Sequence, residues 1–202
     1  MNRRMILRIL GIILMLEAVF LLLPVLVAVI YRERAGWYYL YTALGCAALG
    51  LVLWRGCRTS LRTIYAREGL VTVALCWIVL SLAGALPFTL CGDIPYYLDA
   101  VFEMVSGFTT TGSSILPNVE ALNHCSLFWR SFSHWIGGMG ILVFLLAVLP
   151  LVGGSNMQLM KAESPGPSVG KLVPKVRFTA RILYVLYVAL TLLQVLVMLM
   201  GG

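Results

Sequence analysis

The sequence predicts an all-α integral membrane protein, with five transmembrane helices, one short re-entrant helix and an extended loop behind it. Three observations carry that fold class. Of the 202 residues 61% are hydrophobic and 11% charged, and the mean hydropathy is +0.96, whereas a soluble domain is nearer half apolar and a quarter charged. Apolar stretches cover residues 5–30, 37–54, 70–90, 132–152 and 182–200, each close to the roughly 17–25 residues that cross the hydrocarbon layer as a helix. Between the third and fourth stretches, residues 106–114 read Ser-Gly-Phe-Thr-Thr-Thr-Gly-Ser-Ser, a polar run that no span explains. The net charge of +7 belongs to the loops of a membrane protein and does not call for nucleic acid as a partner.

The first stretch follows Arg3 and Arg4, so a signal peptide is the alternative. Its apolar run exceeds the roughly 7–15 residues of a signal core, and no small-x-small cleavage site follows it, so it is read as a retained span. Glu17 lies inside it. An intramembrane carboxylate is a functional candidate by default, but on this peripheral helix an interhelical hydrogen bond is the expected role. The second stretch pairs with the first, and residues 1–67 form a helix pair with a basic loop. With the N-terminus in the cytoplasm, twelve basic residues lie inside (Arg3, Arg4, Arg8, Arg55, Arg58, Arg62, Arg67, Lys161, Lys171, Lys175, Arg177, Arg181) against Arg32, Arg34 and Arg130 outside. That bias sets the orientation.

The third span therefore exits on the outer face and the fourth enters from it, so the residues between them leave and return on one side. Residues 98–107 are too short to span and suit a re-entrant pore helix, with Pro95 ahead of its start and Gly107 placed to break it. The carbonyl end of that helix carries partial negative charge, which favours a cation at the membrane centre. Residues 68–153 then read as one helix–pore loop–helix repeat. In its closing helix Gly137, Gly138 and Gly140 permit close helix contact; packing is the expected role and a hinge the alternative. Residues 154–177 form a cytoplasmic linker. Gly166-Pro-Ser-Val-Gly170-Lys171-Leu172 within it lacks the spacing and the Ser/Thr of a phosphate-binding loop. Residues 178–202 open a second, incomplete repeat.

Irregular backbone at membrane depth is tolerated only where protein buries it or water reaches it. A row of small residues there can present main-chain oxygens to a dehydrated cation, as in potassium-channel filters. The candidate ion-binding residues are Thr109, Thr110, Thr111, Gly112 and Ser113, with the ion held at Thr110, Thr111 and Gly112. Gly112 supplies the positive φ that such a row needs, and an ordinary surface turn is the alternative. Asp93, Asp99, Glu103 and Glu120 give the outer vestibule a negative cast that concentrates cations, and Glu103 has a second candidate role, supporting the filter from behind. Cys46, Cys57, Cys76, Cys91 and Cys125 show no metal-ligand spacing. A Cys91–Cys125 bridge is a secondary hypothesis that unchanged gel mobility on reduction rejects. His124 and His134 stand alone, and no grouping argues for catalysis or a cofactor. A cation-coupled secondary transporter, with broken helices and ionisable groups at mid-membrane, and a non-conducting assembly or regulatory fragment are the alternatives.

Three segments carry a resemblance. Phe102-Glu103-Met104-Val105-Ser106-Gly107-Phe108-Thr109-Thr110-Thr111-Gly112 resembles the first pore loop of the Trk/Ktr family of potassium-uptake proteins. His134-Trp135-Ile136-Gly137-Gly138-Met139-Gly140-Ile141 resembles the family's following helix, and Met157-Gln158-Leu159-Met160 through Glu163-Ser164-Pro165-Gly166-Pro167 its cytoplasmic connector. The resemblance implies potassium uptake across a bacterial inner membrane, with the ion as substrate and no cofactor. It also implies four such repeats in one polypeptide around a single pore, an extra N-terminal helix pair in Trk-type members, a homodimer, and a cytoplasmic nucleotide-binding regulatory subunit as partner. The family's gating loop and pore-facing arginine lie in later repeats and have no counterpart here. This chain is accordingly expected to be the N-terminal portion of such a protein, with assembly of four copies as the alternative.

Overall fold

The computed structural model describes residues 3–57, 66–140 and 173–201. Within them lie α1 (Arg3–Tyr31), α2 (Gly36–Gly56), α3 (Ala66–Cys91), α4 (Tyr97–Phe108), a 3₁₀ turn (Val119–Ala121), α5 (His124–Gly138) and α6 (Val173–Gly201). Among the described residues four helical segments are long and apolar enough to cross a membrane: Arg3–Tyr31, Gly36–Gly56, Val71–Cys91 and Ile182–Gly201. The chain is an integral membrane protein. The expected span over 132–152 differs in its described part, because α5 begins at His124 and stops at Gly138. Met139 closes it and Gly140 turns left-handed at φ 64°, its N–H on the Gly137 carbonyl. Gly140 thus lies two residues beyond the end of α5. Residues 141–152 and the expected linker up to residue 172 lie outside the described residues.

The first two helices pack through their backbones. A Cβ on Gly11 would lie 2.7 Å from the Gly50 carbonyl oxygen, and one on Gly50 2.6 Å from that of Gly11. Small residues allow this approach where lipid supplies no hydrophobic drive to associate. At the other end Gly36 meets the Ala28 methyl in the same way. A double hydrogen bond ends α1, Glu33 N–H to the Ala28 carbonyl and Arg32 N–H to that of Val29, with Arg32 left-handed at φ 56°. This is the helix-reversing cap that glycine usually makes.

The interior forms where α1, α3, α4 and α5 converge on Trp129, which is fully buried. Its indole N–H donates to the Gly84 carbonyl at 3.0 Å, and Phe108 meets it edge-on. Tyr39 of α2 reaches the same interior and donates to Ser126 Oγ at 2.8 Å. Gly84 lets the groups opposite it close in, namely Met104 Cε, Glu17 Oε1 and the Trp129 ring. Glu17 is 1% exposed, and neither carboxyl oxygen has a hydrogen-bond partner among the described residues. The interhelical hydrogen bond expected of it is absent there, and the nearby Trp129 indole donates to Gly84.

Candidate functional site

The short helix α4 covers the expected re-entrant segment with one residue more at each end. Its apolar face is buried through Ala100, Met104 and Phe108. Gly107 does not break it. The helix runs on to Phe108, and the reversal falls at Thr110, which is left-handed at φ 56°. Thr110 N–H bonds to the Gly107 carbonyl and Thr111 N–H to that of Ser106, each at 3.0 Å. The absent side chain at Gly107 is needed for contact instead: a Cβ there would lie 2.0 Å from Ser133 Oγ of α5. Gly137 makes the reciprocal approach, and its Cβ would sit 2.4 Å from the Phe108 carbonyl oxygen. Gly138 lies under the Tyr187 hydroxyl of α6, which donates to the Trp135 carbonyl at 3.1 Å.

Glu103 decides between its two expected roles. It is fully buried, so it adds no exposed charge to a vestibule. One carboxylate oxygen accepts from the Ser114 hydroxyl and the Ile115 N–H, both at 2.6 Å. The other accepts from Arg130 Nε of α5 at 2.8 Å. The carboxylate therefore ties the chain just beyond the hydroxyl row to α4 and to α5 at once. Arg130 was not singled out by sequence reasoning; its signal was being the lone basic residue of the segment between the third and fourth spans. Breaking a buried pair by removing one partner leaves an uncompensated charge, a loss of about 3–5 kcal/mol. Among the other acids, Asp93 accepts from Asn123 at 2.7 Å, Asp99 occupies the first turn of α4 and Glu120 is exposed.

Residues 109–113 lie exposed beyond the end of α4. Two of their carbonyls are engaged locally: that of Thr109 by the Thr110 hydroxyl at 2.7 Å, and that of Ser113 by the Ser106 hydroxyl at 2.6 Å. The Thr109 and Thr111 hydroxyls share a hydrogen bond at 2.8 Å. The carbonyls of Thr110, Thr111 and Gly112 accept no hydrogen bond among the described residues. Gly112 takes φ 76° and nothing lies within 4 Å of where its Cβ would be. Two left-handed residues thus flank Thr111, only one of them a glycine.

The amino end of α5 is held by a residue that sequence reasoning passed over. Glu33, between α1 and α2, accepts from the N–H of His124 at 2.8 Å and of Cys125 at 3.0 Å, and its carboxylate meets the His124 imidazole at 2.8 Å. His124 stacks on Tyr31 with ring centroids 4.1 Å apart. Burial pushes the Glu33 carboxyl up, but the two N–H groups and the imidazole outweigh it and hold it below its ordinary value. Cys91 and Cys125 are free thiols; Cys91 donates to the Phe88 carbonyl instead. No group of three or more His, Cys, Asp or Glu among the described residues is placed to hold a metal.

A short helix that reverses into a braced row of open carbonyls, set among helices long and apolar enough to cross a membrane, places the chain in the class of polytopic membrane proteins. A family model described as a cation transport protein, TrkH, matches residues 40–201, and the chain belongs to the TrkH family. The Trk system potassium uptake protein TrkH of Salmonella typhimurium is 42% identical over 193 residues, 95% of this chain and 40% of that protein. That of Vibrio parahaemolyticus is 40% identical over 195 residues with the same coverage. The crystal structure of the potassium transporter TrkH from Vibrio parahaemolyticus superposes with a TM-score of 0.75 at 36% identity, covering 95% of this chain and 38% of that one. The chain spans about two-fifths of the length of the curated relatives it matches.

Proposed function

We propose that this chain supplies one of four walls of a potassium-uptake path, with the ion held by the main-chain oxygens of Thr110, Thr111 and Gly112. The observation that carries the reading is the pattern of engaged and open carbonyls. Those of Thr109 and Ser113 are tied back, and the three between them are left open at the negative, carbonyl end of α4. Thr109 and Ser113 then frame the row and do not face the ion. Glu103 and Arg130 act as positioning residues, because their contacts fix Ser114 and Ile115 and so the far end of the row. Potassium crosses by exchanging its water shell for these oxygens, and nothing is chemically transformed.

On this reading the N-terminus is cytoplasmic, the turn at 32–35 and the loops flanking α4 face outward, and the membrane is a bacterial inner membrane. Residues 68–153 form the first repeat and α6 opens the second. The complete protein works as a homodimer with a cytoplasmic nucleotide-binding regulatory subunit. The test is growth on low potassium of an uptake-deficient strain carrying the complete protein, together with rubidium flux after reconstitution. Glu103→Gln at normal abundance is expected to lower flux at least tenfold, and Gly112→Ser to lower it or to admit sodium. Unaltered rubidium flux and sodium exclusion in both variants would remove the row from the ion path.

A further inference from the structure

The last turns of α1, the turn at 32–35 and the first turns of α2 enclose a groove of about 460 Å³. Its lining runs along α1 from Val25 through Val29 to Arg32, and along α2 from Leu40 through Trp37 to Arg34. The walls are therefore apolar at depth and charged at the turn, where Glu33 lies between Arg32 and Arg34. Val29 and Trp37 are 69% and 61% exposed, so the groove opens sideways off the helix pair. Tyr31, Trp37, Tyr38 and Tyr41 are exposed around the same end, the aromatic distribution of a membrane–water interface.

Neither Arg32 nor Arg34 makes a side-chain hydrogen bond or ion pair among the described residues. Glu33, which stands between them and also lines the groove, has its carboxylate engaged by His124 and Cys125. The mouth thus carries two cations and one carboxylate, and that carboxylate is already committed to the His124 and Cys125 amides. Arg32 is also left-handed, a conformation in which glycine is the usual residue.

We propose that this groove binds one anionic phospholipid of the surrounding leaflet, its phosphate on Arg32 and Arg34 and its acyl chain along Val25, Val29 and Leu40. A guanidinium fork matches phosphate oxygens. A free phosphate uses only the mouth, whereas a lipid also fills the apolar walls. The site stands apart from the ion path and does not depend on that reading.

Native mass spectrometry of the complete chain, delipidated in detergent, tests this by titration with phosphatidylglycerol, phosphatidylcholine or inorganic phosphate. One phosphatidylglycerol is expected to be retained in preference to phosphatidylcholine, and inorganic phosphate is expected not to displace it. Arg32→Gln and Arg34→Gln should each weaken retention about fivefold, and together about thirtyfold, the effect expected of basic groups beside an anionic lipid surface. Lysine at both positions should restore most of it. Arg32→Gly separates binding from folding, since glycine suits the left-handed backbone: retention falls while the lipid-free Tm does not. Leu40→Trp fills the apolar end and should expel the lipid. Equal retention of both lipids, no effect of the double glutamine variant, displacement by phosphate, or indifference to Leu40→Trp each overturns the proposal. It is overturned as well if the remainder of the complete chain fills the groove and no lipid is retained.

Discussion

At position 110 a β-branched side chain occupies a left-handed backbone, a conformation that costs an L-residue other than glycine roughly 1–2 kcal/mol. Such strain persists where the surroundings over-determine it. Here two capping hydrogen bonds below Thr110 and the Glu103 brace beyond it do so. Glu17 is the other residue whose environment opposes its chemistry. A buried polar group without a partner destabilises by about 1–3 kcal/mol on mutational scales, and an apolar group of the same shape in its place is neutral or stabilising. Glu17→Met in the complete chain is therefore expected to raise the thermal midpoint in detergent without lowering rubidium flux. A fall in flux with the midpoint preserved would show instead that the carboxyl has a part in transport.

Among the elements, the contact between α4 and α5 depends on two glycines that face each other's helix. At Gly107 the obstructing atom is a serine hydroxyl, which can rotate away. At Gly137 it is the Phe108 carbonyl, which is backbone and cannot. Gly137→Ala is accordingly expected to cost about 1–3 kcal/mol through overpacking, to displace the end of α4 and to lower flux more than Gly107→Ala does; equal effects would contradict this seat. Helix lengths were legible in the sequence because span length and apolar run determine them, and α1, α2, α3 and α6 match the expected stretches within a turn or two, apart from an earlier start of α6 at Val173. The short helix α4 was legible for the complementary reason, being apolar and too short to cross. What the sequence did not reveal rests on proximity. Gly107 looked like a helix breaker because a glycine at a helix end usually is one, and only the fold puts Ser133 against it. The partner of Arg130 lies 27 residues away, and no periodicity links the two. For the hydroxyl row, residue types alone could not show that the Thr109 and Ser113 carbonyls are tied back.

For the molecule as a whole, the turn between α1 and α2 is coupled to the start of α5 through Glu33. Its carboxyl is held below its ordinary value, so its contribution to stability is complete above the unfolded carboxylate value of about 4.3 and is lost as pH falls through the lower folded value. The stability gap between the wild-type complete chain and Glu33→Gln should be flat from neutral pH to about pH 5 and shrink below about pH 4, as followed by thermal unfolding in detergent; a gap that stays constant down to pH 3 would count against the coupling. The anchoring also has a consequence for assembly order: the two amides that open α5 stay without their carboxylate acceptor until the turn between α1 and α2 has docked on them, so the leading hairpin and the later helix are seated together.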